Sequence, residues 1–188
     1  MRLKHALFSA ILLLASLPAA LAAPMLVRGR CHMGECSFTE IVNTKTVAAR
    51  TGGALVAAKE RSAVVKAPVK NGEPQYDEVQ PPKFFGLIKV SYAFCSTERP
   101  AFVFYSDGKF YAHVLDVGDP SSVAGYNTDS HLLYWAICHQ KVIRVDDLSS
   151  EALAKQAQDL GYHKVPEAEK GQYEFKNRRR MTRFFGLS

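Results

Sequence analysis

The chain has 188 residues, 47% apolar and 22% charged, with four cysteines and a formal net charge of +6. This is ordinary globular composition. It excludes long disorder, collagen-like repeats and a cysteine-dense miniature scaffold, and the length predicts a single domain.

Residues 1–22 form the first predicted element, a secretory signal peptide. Arg2 and Lys4 make a basic start, an apolar run follows from Ala6 to about Leu17, and Pro18 breaks it. Ala20-Leu21-Ala22 then offers small residues to a signal peptidase, so cleavage is expected near Ala22. The run is short of the roughly 20 residues that span a bilayer. The expected product is a periplasmic or secreted protein of about 166 residues. A chain of that size holds a core without a cofactor, and the sequence calls for none.

The charge is concentrated at the C-terminal end. Lys170, Lys176, Arg178, Arg179, Arg180 and Arg183 face one acid, Glu174, within residues 170–188, a surplus of +5. Residues 23–169 carry 16 bases and 17 acids. The expected organisation is therefore a near-neutral globular domain (23–169) with a basic C-terminal tail (170–188). Met181, Phe184, Phe185 and Leu187 are interleaved with the arginines, a pattern that suits peripheral contact with an anionic membrane. A solvated tail with a few docked aromatics fits as well. Nucleic acid is not an expected partner, because no recognition motif is present and the charged segment is confined to one end.

Cys31, Cys36, Cys95 and Cys138 are an even set, which an exported chain oxidises. The favoured pairing is Cys31–Cys36 and Cys95–Cys138. The first closes CHMGEC, where Gly34 lets the backbone bend, and the second joins the apolar segments SYAFC and YWAIC. Loop-closure entropy assigns them about 2 and about 4 kcal/mol as upper values. Cross-pairing of the early and late cysteines remains open at this point.

In chain order, residues 37–48 are rich in β-branched side chains and predict a strand. Residues 54–66 predict two short strands, with a helix as the alternative because of the alanines. Residues 67–83 hold four prolines and predict an exposed, mobile loop of the kind that makes contacts. In residues 86–95, Ile88, Val90, Tyr92 and Phe94 alternate with a second set, the period of a strand with one strongly buried face. Residues 101–105 and 110–117 flank Asp107-Gly108 and predict a hairpin. Residues 131–138, HLLYWAIC, are apolar throughout and fit strand or helix equally. Ser149 or Ser150 caps a helix to about Leu160, with Gly161 as its stop. Residues 172–176 predict a last strand. The fold class is α+β, a mainly antiparallel β domain with at least one helix and two disulfides.

No nucleophile elbow, metal-binding helix pair, phosphate loop or dinucleotide fingerprint is present, so no catalytic residue is assigned. Ser96, Thr97, Glu98 and Arg99 follow Cys95 and make one candidate recognition loop. Arg178, Arg179, Arg180 and Arg183 make a candidate basic contact. Cys31-x4-Cys36, CSTERP at 95–100 and Cys138-His139 together resemble a group of uncharacterised exported bacterial proteins, over about residues 31–140. That resemblance implies no activity. The expected function is a non-enzymatic, macromolecule-binding protein of inhibitor or immunity type, with a protein or envelope component as partner. Two alternatives are kept. One is an envelope-acting hydrolase using His113 or His139 with Glu98 or Asp116. The other is a membrane-surface or polyanion binder acting through 170–188.

Overall fold

The computed structural model describes residues 23–122 and 125–187; the expected signal segment, residues 1–22, lies outside the described residues. Seven strands pair antiparallel throughout. They are β1 (Met25–His32), β2 (Glu35–Arg50), β3 (Gly53–Lys66), β6 (Lys89–Cys95), β7 (Ala101–Ser106), β8 (Lys109–Val114) and β9 (Gly171–Phe175), side by side in that order. A two-strand ribbon, β4 (Val69–Lys70) and β5 (Glu73–Pro74), sits between β3 and β6 in the chain. Three α-helices complete the fold: α1 (Thr128–His139), α2 (Glu151–Asp159) and α3 (Arg178–Phe184). Among the described residues no helix is long and apolar enough to cross a membrane.

The expected hairpin is β7–β8. Asp107 and Gly108 take φ of 49° and 78°, the left-handed pair that a tight hairpin turn demands. Residues 54–66 form one strand, β3, in place of the two short strands or helix expected from the sequence. Hydrogen-bonding partners on both sides, β2 and β6, override the helical preference of its alanines.

Strand alternation divides the core between two faces. Phe102 of β7 joins one apolar cluster, while its neighbours Ala101 and Val103 join the other. The first cluster is covered by α1 and α2. Nine of the twelve residues of α1 are buried, including Leu132, Tyr134, Trp135 and Ile137. A helix that is apolar all round is a core helix, and this resolves the ambiguity of residues 131–138. On α2, Ser150 caps the Leu153 N–H at 3.1 Å, and of the three apolar residues that share a face by helical spacing, Leu153 and Ala157 meet the core while Leu160, at the helix end, is exposed.

The second cluster is covered by the C-terminal segment. Met181 and Phe185 are buried there with Leu55, Phe94 and Val103, and Phe185 stacks on Phe94 at 4.6 Å. The Asn177 side chain caps α3 by accepting from the Arg180 N–H at 3.0 Å. Residues 171–184 are thus a strand and a helix of the domain, not an appended tail. The arginines dominate the composition of this segment, but its few apolar residues decide its placement.

The disulfides are Cys31–Cys36 and Cys95–Cys138, the favoured pairing. The second ties the end of α1 to the end of β6. The proline-rich stretch 67–83 is largely exposed, as expected, but it carries a short ribbon and is anchored at two points. Val79 is buried and Tyr76 packs beside it against Cys36 and Phe38. Gly34 N–H donates to Tyr76 Oη at 2.9 Å, and Arg28 donates to the Tyr76 carbonyl.

Candidate functional site

The loop after Cys95 is held firmly from below. Ser96 Oγ accepts from the backbone N–H groups of Glu98 and Arg99, both at 3.2 Å. The Tyr134 hydroxyl donates to the Ser96 carbonyl at 3.2 Å and lies 2.8 Å from the Tyr162 hydroxyl, which in turn lies 2.7 Å from His139 Nε2. Burial raises the Tyr134 hydroxyl well above its ordinary range and pushes Tyr162 up to about 12, so both remain protonated. Burial also lowers the His139 pKa, with help from Lys141. This chain of polar groups pins the loop, α1 and the 160s segment together.

The same anchoring consumes two of the loop's four recognition groups. Ser96 is buried. Arg99 donates from Nε and Nη2 to Glu169 Oε2, at 2.9 and 2.5 Å, and its guanidinium lies 5.2 Å from the Phe184 ring centre. Arg99 therefore clamps α3 to the domain. Thr97 is half-buried and Glu98 is exposed.

Arg178, Arg179, Arg180 and Arg183 are all exposed on α3. Arg178 lies 5.6 Å above the Tyr92 ring. It lines a groove of about 460 Å³ with Val90, Tyr92, Tyr105, Phe110 and Lys176. The groove exists because β6 and β7 separate. They pair only from Tyr92↔Val103 to Phe94↔Ala101, which leaves Lys89–Ser91 and Phe104–Ser106 apart. Tyr105 packs on Phe110 at 4.9 Å, and both Val90 and Tyr105 face solvent. The buried face expected for residues 88–94 is thus confined to its Phe94 end, because β7 pairing does not reach Val90 and Ile88. Among the described residues no acidic side chain pairs with any of the four arginines. Three of them stand in the first turn of α3, where the positive end of the helix dipole repels cations. Tyr92, Tyr105 and Phe110 were not identified as site residues from the sequence, because each reads as an ordinary strand aromatic.

A second cavity, of about 430 Å³, opens on the α1 face beside β8 and β9. His113 and Asp116 both line it, so the histidine–carboxylate pair of the hydrolase alternative does share a cavity. Both groups are committed elsewhere. His113 Nε2 lies 2.7 Å from Gln172 Oε1, and its Nδ1 lies 3.0 Å from Ser130 Oγ. Asp116 is buried, with Lys170 Nζ 2.9 Å from Oδ2 and the Val165 N–H donating to Oδ1 at 3.4 Å. Ser130 is buried and does not line the cavity. His139 sits apart, in the tyrosine network.

No family model, curated protein or solved structure matches this chain.

Proposed function

We propose that the chain is an exported, non-enzymatic binding protein of inhibitor or immunity type. Its contact surface is the groove between β6, β8 and α3, and its partner presents an acidic face. One observation carries the reading: an aromatic floor of Tyr92, Tyr105 and Phe110 edged by Lys176 and Arg178, with Arg179 and Arg180 next to Arg178 in the first turn of α3, where cations cost stability and no acidic side chain among the described residues pairs with them. Tyrosine and arginine around a central depression are the residue types that dominate binding energy at protein interfaces. Export is supported by the basic–apolar–small-residue pattern of residues 1–22 and by the two disulfides, which persist in oxidising compartments.

The test is affinity capture from an envelope extract with the mature protein as bait, beside an Arg179→Glu/Arg180→Glu double variant and Tyr105→Ser. The reading requires an acidic protein that both variants lose and that rebinds the bait as a purified pair, more weakly at high salt. A partner that both variants retain refutes the groove.

A second reading has its own observation. Phe85 and Leu87 are 84% and 90% exposed, and Leu87 lies only three residues before Val90, within about 10 Å along the chain. An exposed apolar tip beside arginines also suits an anionic bilayer. Sedimentation with phosphatidylglycerol vesicles separates the two. Binding that is lost on Leu87→Ser would favour the bilayer.

A further inference from the structure

The polar cavity of the α1 face has no part in that reading, and His113 and Phe110 point to opposite faces of β8. We propose that this cavity is a carbohydrate site for one or two rings of a neutral saccharide. The inference rests on what the walls offer and on what they exclude.

The wall is mostly polar, and Val114 and the Tyr126 ring are its apolar members among the described residues. An aliphatic or aromatic ligand would find little to bury against it. Its charged groups already hold partners, with carboxylates in surplus. Lys170 stands 2.9 Å from Asp116 and 3.1 Å from Glu167, and Asp119 Oδ1 accepts from the Ser121 N–H at 2.9 Å and the Ser121 hydroxyl at 2.6 Å. An anion would meet three carboxylates for one ammonium. A cation would compete with Lys170 for Asp116 and Glu167, and the cationic sugar glucosamine is the control for that alternative.

Neutral donors and acceptors are left over. The Nε2–H of His113 donates to Gln172 Oε1, and Nδ1 then accepts from the Ser130 hydroxyl. This orientation leaves the Gln172 amide N–H₂ as a donor pair with no hydrogen-bond partner among the described residues. Asn127 also lines the cavity, and its Oδ1 has no hydrogen-bond partner among the described residues. Paired planar amides and carboxylates match the donor-and-acceptor pattern of neighbouring sugar hydroxyls. Tyr126 completes the set. Its side chain is 77% exposed, and its ring meets His113 edge-on at 6.5 Å. An exposed aromatic face beside a polar cleft provides the platform on which the C–H face of a sugar ring stacks. The volume lies at the low end of the range for ligand sites and suits one or two rings.

The experiment is an NMR titration of the full mature, disulfide-bonded protein, following backbone and side-chain amides. The probes are chitotriose and maltotriose, with glucosamine and glucose phosphate as charged controls. The expected result is a saturable shift of the Gln172 side-chain amide with at least one neutral probe, with a dissociation constant on the order of 1 mM. Tyr126→Ala should weaken it at least tenfold (~1.4 kcal/mol). Tyr126 is exposed, so that variant folds. Gln172→Ala is the second variant, and it should weaken binding in the same direction. Arg179→Glu/Arg180→Glu should leave it unchanged, which keeps this site separable from the groove. No saturable shift with either neutral probe, a response to the charged controls alone, or binding indifferent to Tyr126→Ala would each overturn the proposal.

Discussion

His131 makes acid stability measurable against a single group. It is 1% exposed on α1, its Nε2 has no hydrogen-bond partner among the described residues, and burial with the neighbouring His113 lowers its pKa from 6.5 to about 4. The unfolded chain therefore takes up this proton at a higher pH than the folded one. The contribution to stability is whole above about pH 6.5 and is lost progressively as pH falls towards 4. The pKa gap of about 2.5 corresponds to a limiting loss of about 3 kcal/mol, of which about 2 kcal/mol falls between pH 7 and pH 5. Glu60 works in the opposite sense. Burial raises its pKa despite the Ser91 hydroxyl bond and nearby Lys89, so the fold gains as this carboxyl protonates. Comparison with His131→Leu isolates the histidine, because leucine removes the titrating group and the unpartnered nitrogen together. Urea unfolding of both proteins at pH 7 and pH 5 should give a wild-type loss larger by about 2 kcal/mol. Equal pH dependence in the two proteins would refute the claim that His131 is buried and neutral.

Three further predictions concern the framework and the groove. Replacing Cys95 and Cys138 by alanine should cost about 4 kcal/mol in chemical unfolding, against about 2 kcal/mol for the Cys31 and Cys36 pair, because the first closes a loop of 43 positions and the second a loop of 5. Arg99→Ala should cost roughly 1 kcal/mol and speed hydrogen exchange in residues 171–184, since it removes the Glu169 pair and the Phe184 contact at a half-exposed site. Arg179→Glu/Arg180→Glu should raise stability by about 1 kcal/mol in thermal unfolding while abolishing partner capture, because glutamate suits the first turn of α3 where arginine does not.

Parts of this fold are legible in the sequence wherever local chemistry and tertiary packing agree. Asp107-Gly108 between two apolar runs specifies the β7–β8 hairpin by itself. Ser150, Leu153, Ala157 and Gly161 specify α2 and its stop. The disulfide pairing is only favoured by the sequence, through the tight CHMGEC loop and two apolar segments, and the structure decides it. Helix α1 is not legible, because a run that is apolar on every side carries no period, and only the surrounding sheet and α2 decide its form. The C-terminal strand is legible at residues 172–176, whereas helix α3 is obscured by its own arginines. Two buried residues, Met181 and Phe185, outweigh them.

The candidate site follows the same division. Arg178, Arg179, Arg180 and Arg183 stand out as a charge cluster in any reading of the chain. The floor of the groove does not, since Tyr92, Tyr105 and Phe110 come from three strands and meet only through sheet register. Arg99 shows the converse. A cation in a rigid loop suggests recognition, but Glu169, 70 positions away, already holds it.

The central claim is that α3 and the aromatic groove hold an acidic protein partner. The most direct measurement is quantitative capture from envelope extract at low salt, wild type against Arg179→Glu/Arg180→Glu, followed by titration of the purified pair. The account predicts an acidic protein enriched on the wild type alone, whose purified complex weakens steeply with added salt. The same proteins on both baits, or a purified complex indifferent to the two charge reversals, would contradict it.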